Sequence, residues 1–170
     1  MPKIIENLEE KLLEEAKRQI QAGGYSAMTI RSVAKACGVG VGTVYNYFPS
    51  KESLLASFLL ADWKQCVAAI AQISAQAATP EPVARAIYDQ LTQYARRHSR
   101  IFQDAAAADG FAGSFGQYHA LLRAQLAAPL QKFCADAFSA DFVAEALLTW
   151  TMAGKEFSVI YGMIGKLFKP

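Results

Sequence analysis

The residues of this chain best suited to chemistry lie between Thr29 and Lys51, and the chemistry they suit is recognition, with no bond to break. In TIRSVAKACGVGVGTVYNYFPSK, Ala34 is a small residue where two short helices can cross steeply. Gly38, four residues on, can take the positive φ that a tight turn needs. Ile30, Val33, Val39, Val44 and Phe48 are spaced to bury inward, which leaves Gly42, Thr43, Asn46 and Tyr47 on or near the outer face of the third helix. Small, hydroxyl and amide side chains on an exposed helix, with Lys51 just beyond, suit a helix lying in a DNA major groove. An ordinary helical hairpin with a solvated face is the competing reading, and charge argues against it. The whole chain carries only +2, yet Lys17, Arg18, Arg31, Lys35 and Lys51 fall in a stretch that contains no acid. A local basic segment in a neutral protein is an electrostatic footprint for phosphates.

The elements that must position these residues read as all-α. Alanine occurs 31 times in 170 residues, no glycine stands between Gly42 and Gly110, and alternating β-branched runs are nearly absent. Ile4, Leu8, Leu12, Ala16 and Ile20 recur every four residues, predicting a first helix from about Lys3 to Ala22 that stops at Gly23-Gly24. Thr29 can cap a second helix, Ile30 to Cys37, and a third runs from about Val41 to Phe48. Ser50 caps a long fourth helix, and Thr79-Pro80-Glu81 starts a fifth that continues to about His98. Residues Asp109 to Gly116 read as a glycine-rich break, followed by long helices over Gln117–Phe138, kinked or split at Pro129, and Ala140–Phe168, with Ser139 between them. The expected division is 1–49, a three-helix helix-turn-helix unit, and 50–170, a helical body.

From Leu12 to Leu55 the sequence resembles the DNA-binding domain of the TetR family of bacterial transcriptional regulators. The resemblance rests on Gly24-Tyr25, Thr29, Val33-Ala34, Gly38-Val39 and the run Gly42-Thr43-Val44-Tyr45-Asn46-Tyr47-Phe48-Pro49-Ser50-Lys51. It implies that Thr29 and Arg31 begin the second helix at the DNA backbone and groove edge, and that Val41, Gly42 and Thr43 open the recognition helix against the bases. It also implies phosphate contacts from Tyr45, Tyr47 and Lys51. Position 41 often carries a polar or basic side chain in such regulators, whereas Val41 here offers no donor. Base readout is therefore expected to lean on Arg31, on contact between Val41 and a thymine methyl, and on DNA shape. Beyond Leu55 the similarity is one of architecture only.

The body is read from its apolar inventory. Trp63, Cys66, Val67 and Ile70 on the fourth helix, with Tyr88, Leu91, Tyr94, Phe102, Phe111, Phe115, Tyr118, His119 and Leu122, either fill a core or line the apolar effector cavity that the family resemblance implies. Few charges stand in this region, so a small apolar or aromatic effector is expected. Gly154, Ser158 and Gly162 recur every four residues. With Leu147, Thr151 and Tyr161, and with Leu122, Leu126, Leu130 and Phe133 of the preceding helix, they make either a self-interface or an intrachain contact. The basic run Arg96-Arg97-His98-Ser99-Arg100 reads as a solvated helix end.

Other function classes find no support. Two histidines, His98 and His119, and three scattered cysteines, Cys37, Cys66 and Cys134, lack metal-site spacing. Gly38, Gly40 and Gly42 lack the flanking strand and lysine of a phosphate loop, and Ser114 lacks a nucleophile-elbow setting. No cofactor and no enzymatic activity are expected. No segment reads as a leader or as about 20 continuous apolar residues, so a cytoplasmic protein without a membrane span is expected. The reading is a ligand-responsive, homodimeric repressor of a near-palindromic double-stranded operator. A constitutive DNA-binding protein whose body serves assembly alone is the alternative.

Overall fold

The computed structural model describes residues 7–111 and 115–169. Among these residues the regular elements are helices: α1 Leu8–Gly23, α2 Ile30–Ala36, α3 Val41–Tyr47, α4 Lys51–Gln76, α5 Pro80–Arg97, α6 Ser99–Phe102, α7 Ala105–Phe111, α8 Phe115–Ala127, α9 Ala137–Met152 and α10 Phe157–Ile164. Short 3-10 turns cover Ala128–Phe133 and Gly165–Leu167, and one isolated antiparallel bridge joins Cys134 to Phe168. The first turn expected of α1, before Asn7, lies outside the described residues.

The chain divides into two units: residues 7–62 with 98–111, and residues 63–97 with 115–169. In the first, the four-residue stripe Leu8, Leu12, Ala16 and Ile20 of α1 is buried with Ile30, Val33, Ala34, Val44 and Phe48. A packing boundary at Pro49 does not hold, because Leu54, Leu55 and Phe58 of α4 and Ile101 and Ala107 of the later segment enter this same core. In the second unit Trp63 and Ile70 of α4 are buried, as are Val83, Ile87 and Leu91 of α5, Leu126, Val143, Leu147, Phe157, Ile160 and Ile164.

By length and composition alone α4 is long and apolar enough to cross a membrane, a test that a buried core helix passes equally. Its side chains say what the helix is used for. Leu54, Leu55, Phe58, Trp63, Cys66 and Ile70 are all buried within the protein, and Asp62 among them is ion-paired to Lys17.

Two other boundaries move. Ser139 does not separate helices: Asp136 caps α9 by accepting the Ser139 N–H at 2.7 Å, so Ser139 lies in the first turn. The expected single helix through Phe168 is broken at Gly154, whose φ of 75° lies in the left-handed region. The Gly154 and Lys155 N–H groups donate to the Thr151 and Trp150 carbonyls, a pair of bonds that closes a helix end. Pro129 does mark a split, since α8 stops at Ala127 and the 3-10 turn carries Pro129 in its first positions.

Candidate nucleic-acid interface

Each helix of the 29–51 segment starts and stops for a local reason. Thr29 has extended backbone, and its Oγ1 accepts the Ser32 N–H at 3.0 Å while Ser32 Oγ accepts the Thr29 N–H at 3.1 Å. At the other end Gly38 takes φ 68°, and the N–H groups of Gly38 and Val39 donate to the Lys35 and Ala34 carbonyls. Ala34 and Val44, on the two helices, are at most 1% exposed. Burying that pair fixes which side of α3 faces outward: Val41, Gly42, Tyr45, Asn46 and Tyr47 are exposed and Thr43 is half-buried. Gly42 faces open space, with no atom within 4 Å of where a Cβ would sit.

The basic footprint is narrower than the sequence suggests. Arg18 donates two bonds to Glu15, at 2.8 and 2.6 Å, and these with the Gln19 amide hold the Glu15 carboxyl down at about 2. Lys17 Nζ donates to both oxygens of Asp62, at 3.1 and 3.2 Å. Arg31 and Lys35 are exposed on α2, and Lys51 is half-buried at the start of α4. The Lys51 ammonium sits 3.9 Å over the Tyr25 ring, and burial lowers its pKa from the ordinary lysine value. Tyr25, itself 2% exposed, donates its hydroxyl to Glu52 Oε1 at 3.1 Å. Burial, then that bond, pushes the phenol up to about 12.

The same unit contains residues that the sequence did not assign to it. His98 is 1% exposed with Nε2 3.2 Å from Asp62 Oδ2, and the Phe58 ring meets it edge-on at 5.1 Å. The solvated end expected at this run is therefore wrong for His98. Arg100 does stay exposed, and it donates to the Gln21 and Ala22 carbonyls at 2.7 and 3.1 Å. Asp104 accepts the Ser26 N–H and hydroxyl and also the Ala106 and Ala107 N–H groups. The bonds from Arg100 to Gln21 and Ala22 and from Ser26 to Asp104 link positions nearly 80 apart in sequence, which no local pattern encodes.

The candidate effector residues separate. Trp63, Cys66, Ile70, Leu91 and Tyr94 are buried in the second unit, where the Trp63 indole N–H donates to Gln125 Oε1 at 2.6 Å and its ring meets Tyr94 edge-on at 5.5 Å. Val67, Tyr88, His119 and Leu122 are half-buried, and Tyr88 packs against Phe157. Tyr118 is exposed. Phe102 belongs to the first unit and is 46% exposed, so it leaves this group. The side chains of Phe111 and Phe115 lie outside the described ones. Gln125 is the member that the sequence did not single out, because a lone Gln on an apolar helix carries no distinguishing pattern.

The candidate interface residues also need correction. Leu126, Leu130 and Leu147 are 0% exposed and Thr151 is 7% exposed, so they pack within one chain. Phe133 and Tyr161 are half-buried, Tyr161 stacking between Phe157 and Phe168. Gly154 ends a helix and shares no helical face with Ser158 and Gly162, which are exposed on α10. On α9 and α10 the exposed large apolar side chains are others: Phe138, Phe142, Trp150 and Met152 of α9, and Val159 and Met163 of α10.

Comparison with known proteins places this geometry. Residues 12–58 match the family model described as bacterial regulatory proteins, tetR family. The transcriptional repressor KstR of Mycobacterium tuberculosis is 31% identical over 107 residues, 58% of this chain and 49% of its own length, so the chain spans about half of that curated relative. The regulator SCO7518 of Streptomyces coelicolor has the same fold at TM-score 0.68 and 17% identity, over 95% of this chain and 98% of its own. Thermus thermophilus FadR, a TetR-family repressor solved with lauroyl-CoA, superposes at TM-score 0.64 and 20% identity over 94% and 92%.

Proposed function

We propose that this chain, whose residues 12–58 match the tetR-family model, is a cytosolic, homodimeric repressor of the TetR family of bacterial regulatory proteins, released from its operator by a small apolar or aromatic effector. The observation that carries the reading is the outer face of α3. Val41, Gly42, Tyr45, Asn46 and Tyr47 are exposed on a helix whose other side is anchored by Val44. Val41, Gly42, Thr43 and Asn46 meet bases, Arg31 the groove edge, and Tyr45, Tyr47 and Lys51 phosphates. Thr29 serves by capping α2, since its hydroxyl already accepts the Ser32 N–H.

Repression and release need two further parts. The exposed apolar residues of α9 and α10 pair two chains, so that two recognition helices reach successive major grooves roughly 34–36 Å apart. Helix α4 gives residues to both units. An effector lodged against Cys66, Val67, Ile70, Tyr88, Leu91, Tyr94 and Leu122 favours a different α4 position and takes the pair of helices off that spacing. The lauroyl-CoA held by a repressor of the same fold makes an apolar acyl chain the first effector to try. The tight packing of Trp63 favours the other reading, a filled core and constitutive DNA binding.

Selection of bound sequences from random duplex DNA tests the first claim. A near-palindromic site with half-sites one helical turn apart is expected, and enrichment of no sequence would sink it. Melting with and without acyl-CoAs and apolar aromatic compounds then decides between the two readings. A compound that raises the melting temperature and releases the selected DNA is expected, and a panel that does neither supports constitutive binding.

A further inference from the structure

Lys51 and Glu52 are adjacent, opposite charges at the start of α4, and Asp104 is a second acid acting on the same ammonium. A carboxylate at a helix N-terminus is favoured by the helix dipole, but one that reached the Lys51 ammonium would cancel the charge a DNA phosphate needs. The structure ties up both acids. Tyr25 donates its hydroxyl to Glu52 at 3.1 Å, and Ser26 donates its N–H and hydroxyl to Asp104. The Glu52 carboxyl is held below its ordinary value by its own backbone N–H, by Ser50, by Tyr25 and by the charge of Lys51, and so stays an ionised acceptor for the Tyr25 hydroxyl. Meanwhile the face of the Tyr25 ring supports the ammonium at 3.9 Å. A ring face attracts a cation through its quadrupole without neutralising it, and a lysine already seated has fewer rotamers to lose on binding. Core packing alone does not account for this side chain, because a phenylalanine would fill the same volume without the hydroxyl.

We propose that Tyr25 is a positioning residue for Lys51, its ring seating the ammonium toward DNA and its hydroxyl keeping the Glu52 carboxylate off it. The inference rests on the reading of Lys51 as a phosphate contact.

The test is the salt dependence of binding to a random-sequence duplex, where phosphate contacts dominate. Lys51→Ala should flatten the slope of log K against log salt by about 0.9. Tyr25→Phe keeps the ring but frees Glu52, and should flatten the slope in the same direction by up to about 0.9. The double variant Tyr25→Phe/Glu52→Gln should restore the wild-type slope, and Tyr25→Phe should add nothing in the Lys51→Ala background. A purely structural role for the hydroxyl would lower the denaturation midpoint without any such rescue. Tyr25→Phe at wild-type slope, or a loss that Glu52→Gln leaves unrepaired, overturns the role of Tyr25 and leaves DNA binding standing. An unchanged slope for Lys51→Ala overturns the phosphate contact itself, and the positioning role with it.

Discussion

The turn after α2 and the turn after α9 use one backbone device to present two different surfaces. Gly38 and Gly154 sit at φ 68° and 75°, and each closes its helix with the same two bonds to carbonyls three and five residues back. After Gly38, α3 buries Val44 and exposes glycine, amide and phenol groups. After Gly154, α10 buries Phe157, Ile160 and Ile164 and exposes Val159 and Met163. The turn geometry thus carries no information about the partner. The chemistry of the exposed side does: hydrogen-bonding groups beside lysine and arginine suit a polyanion, and bare methyl-rich surface suits another apolar surface.

The largest effect should come from the apolar side. Phe138→Asp with Met163→Asp alters side chains 77% and 75% exposed, so the fold of the single chain should shift by no more than about 0.5 kcal/mol. Sedimentation should show monomers, and operator affinity should fall by ~10²–10⁴ as the second half-site is lost. A dimer of undiminished stability would move self-association to another face. Next, on the polar side, Arg31→Ala should narrow the gap between operator and random DNA by about 1–3 kcal/mol, read from competition binding. Equal losses on both DNAs would make Arg31 a phosphate contact.

Gly38→Ala and Gly154→Ala probe the shared turn. A Cβ at either site meets nothing within 4 Å, so only the left-handed backbone opposes it, at roughly 1–2 kcal/mol each in denaturant unfolding. The two losses should match in stability yet diverge in function, the first weakening DNA binding and the second self-association. The smallest effect is one of pH and belongs to the first unit alone. Tyr25 has its phenol raised from 10.0 to about 12 in the folded chain. The unfolded chain therefore gives up this proton first, and stability present below about pH 10 declines as pH rises toward 12. Tyr25→Phe should make that decline shallower in alkaline unfolding curves, and an identical decline would show the phenol to be unperturbed.

How much was legible follows from the range of each interaction. The helix-turn-helix was legible because its caps, turn and crossing contact all fall within residues 29–48. Gly154 carried the same signal as Gly38, but its spacing from Ser158 and Gly162 also fits an unbroken helix, and period alone does not distinguish the two. The role of Arg100, Asp104 and His98 in the first unit was not legible at all. Their partners Gln21, Ala22, Ser26 and Asp62 are remote in sequence, and a basic run at a helix end looks the same whether it meets water or protein.

By itself the sequence determined the all-helical class, the buried stripe of α1, the burial of Ala34 and Val44, and the outer face of α3. Each of these depends on backbone propensity and side-chain period over a few turns. Only the tertiary structure decided which charges remain available and which apolar residues remain exposed. Lys17 and Arg18 count as basic residues in the chain but are engaged by acids in the fold, whereas Lys51 is seated on Tyr25 with Glu52 held aside. Leu126 and Leu147 are apolar, as are Phe138 and Met163, yet packing buries the first two and leaves the other two in solvent. Availability is set by neighbours distant in sequence, and their positions exist only once the chain has folded.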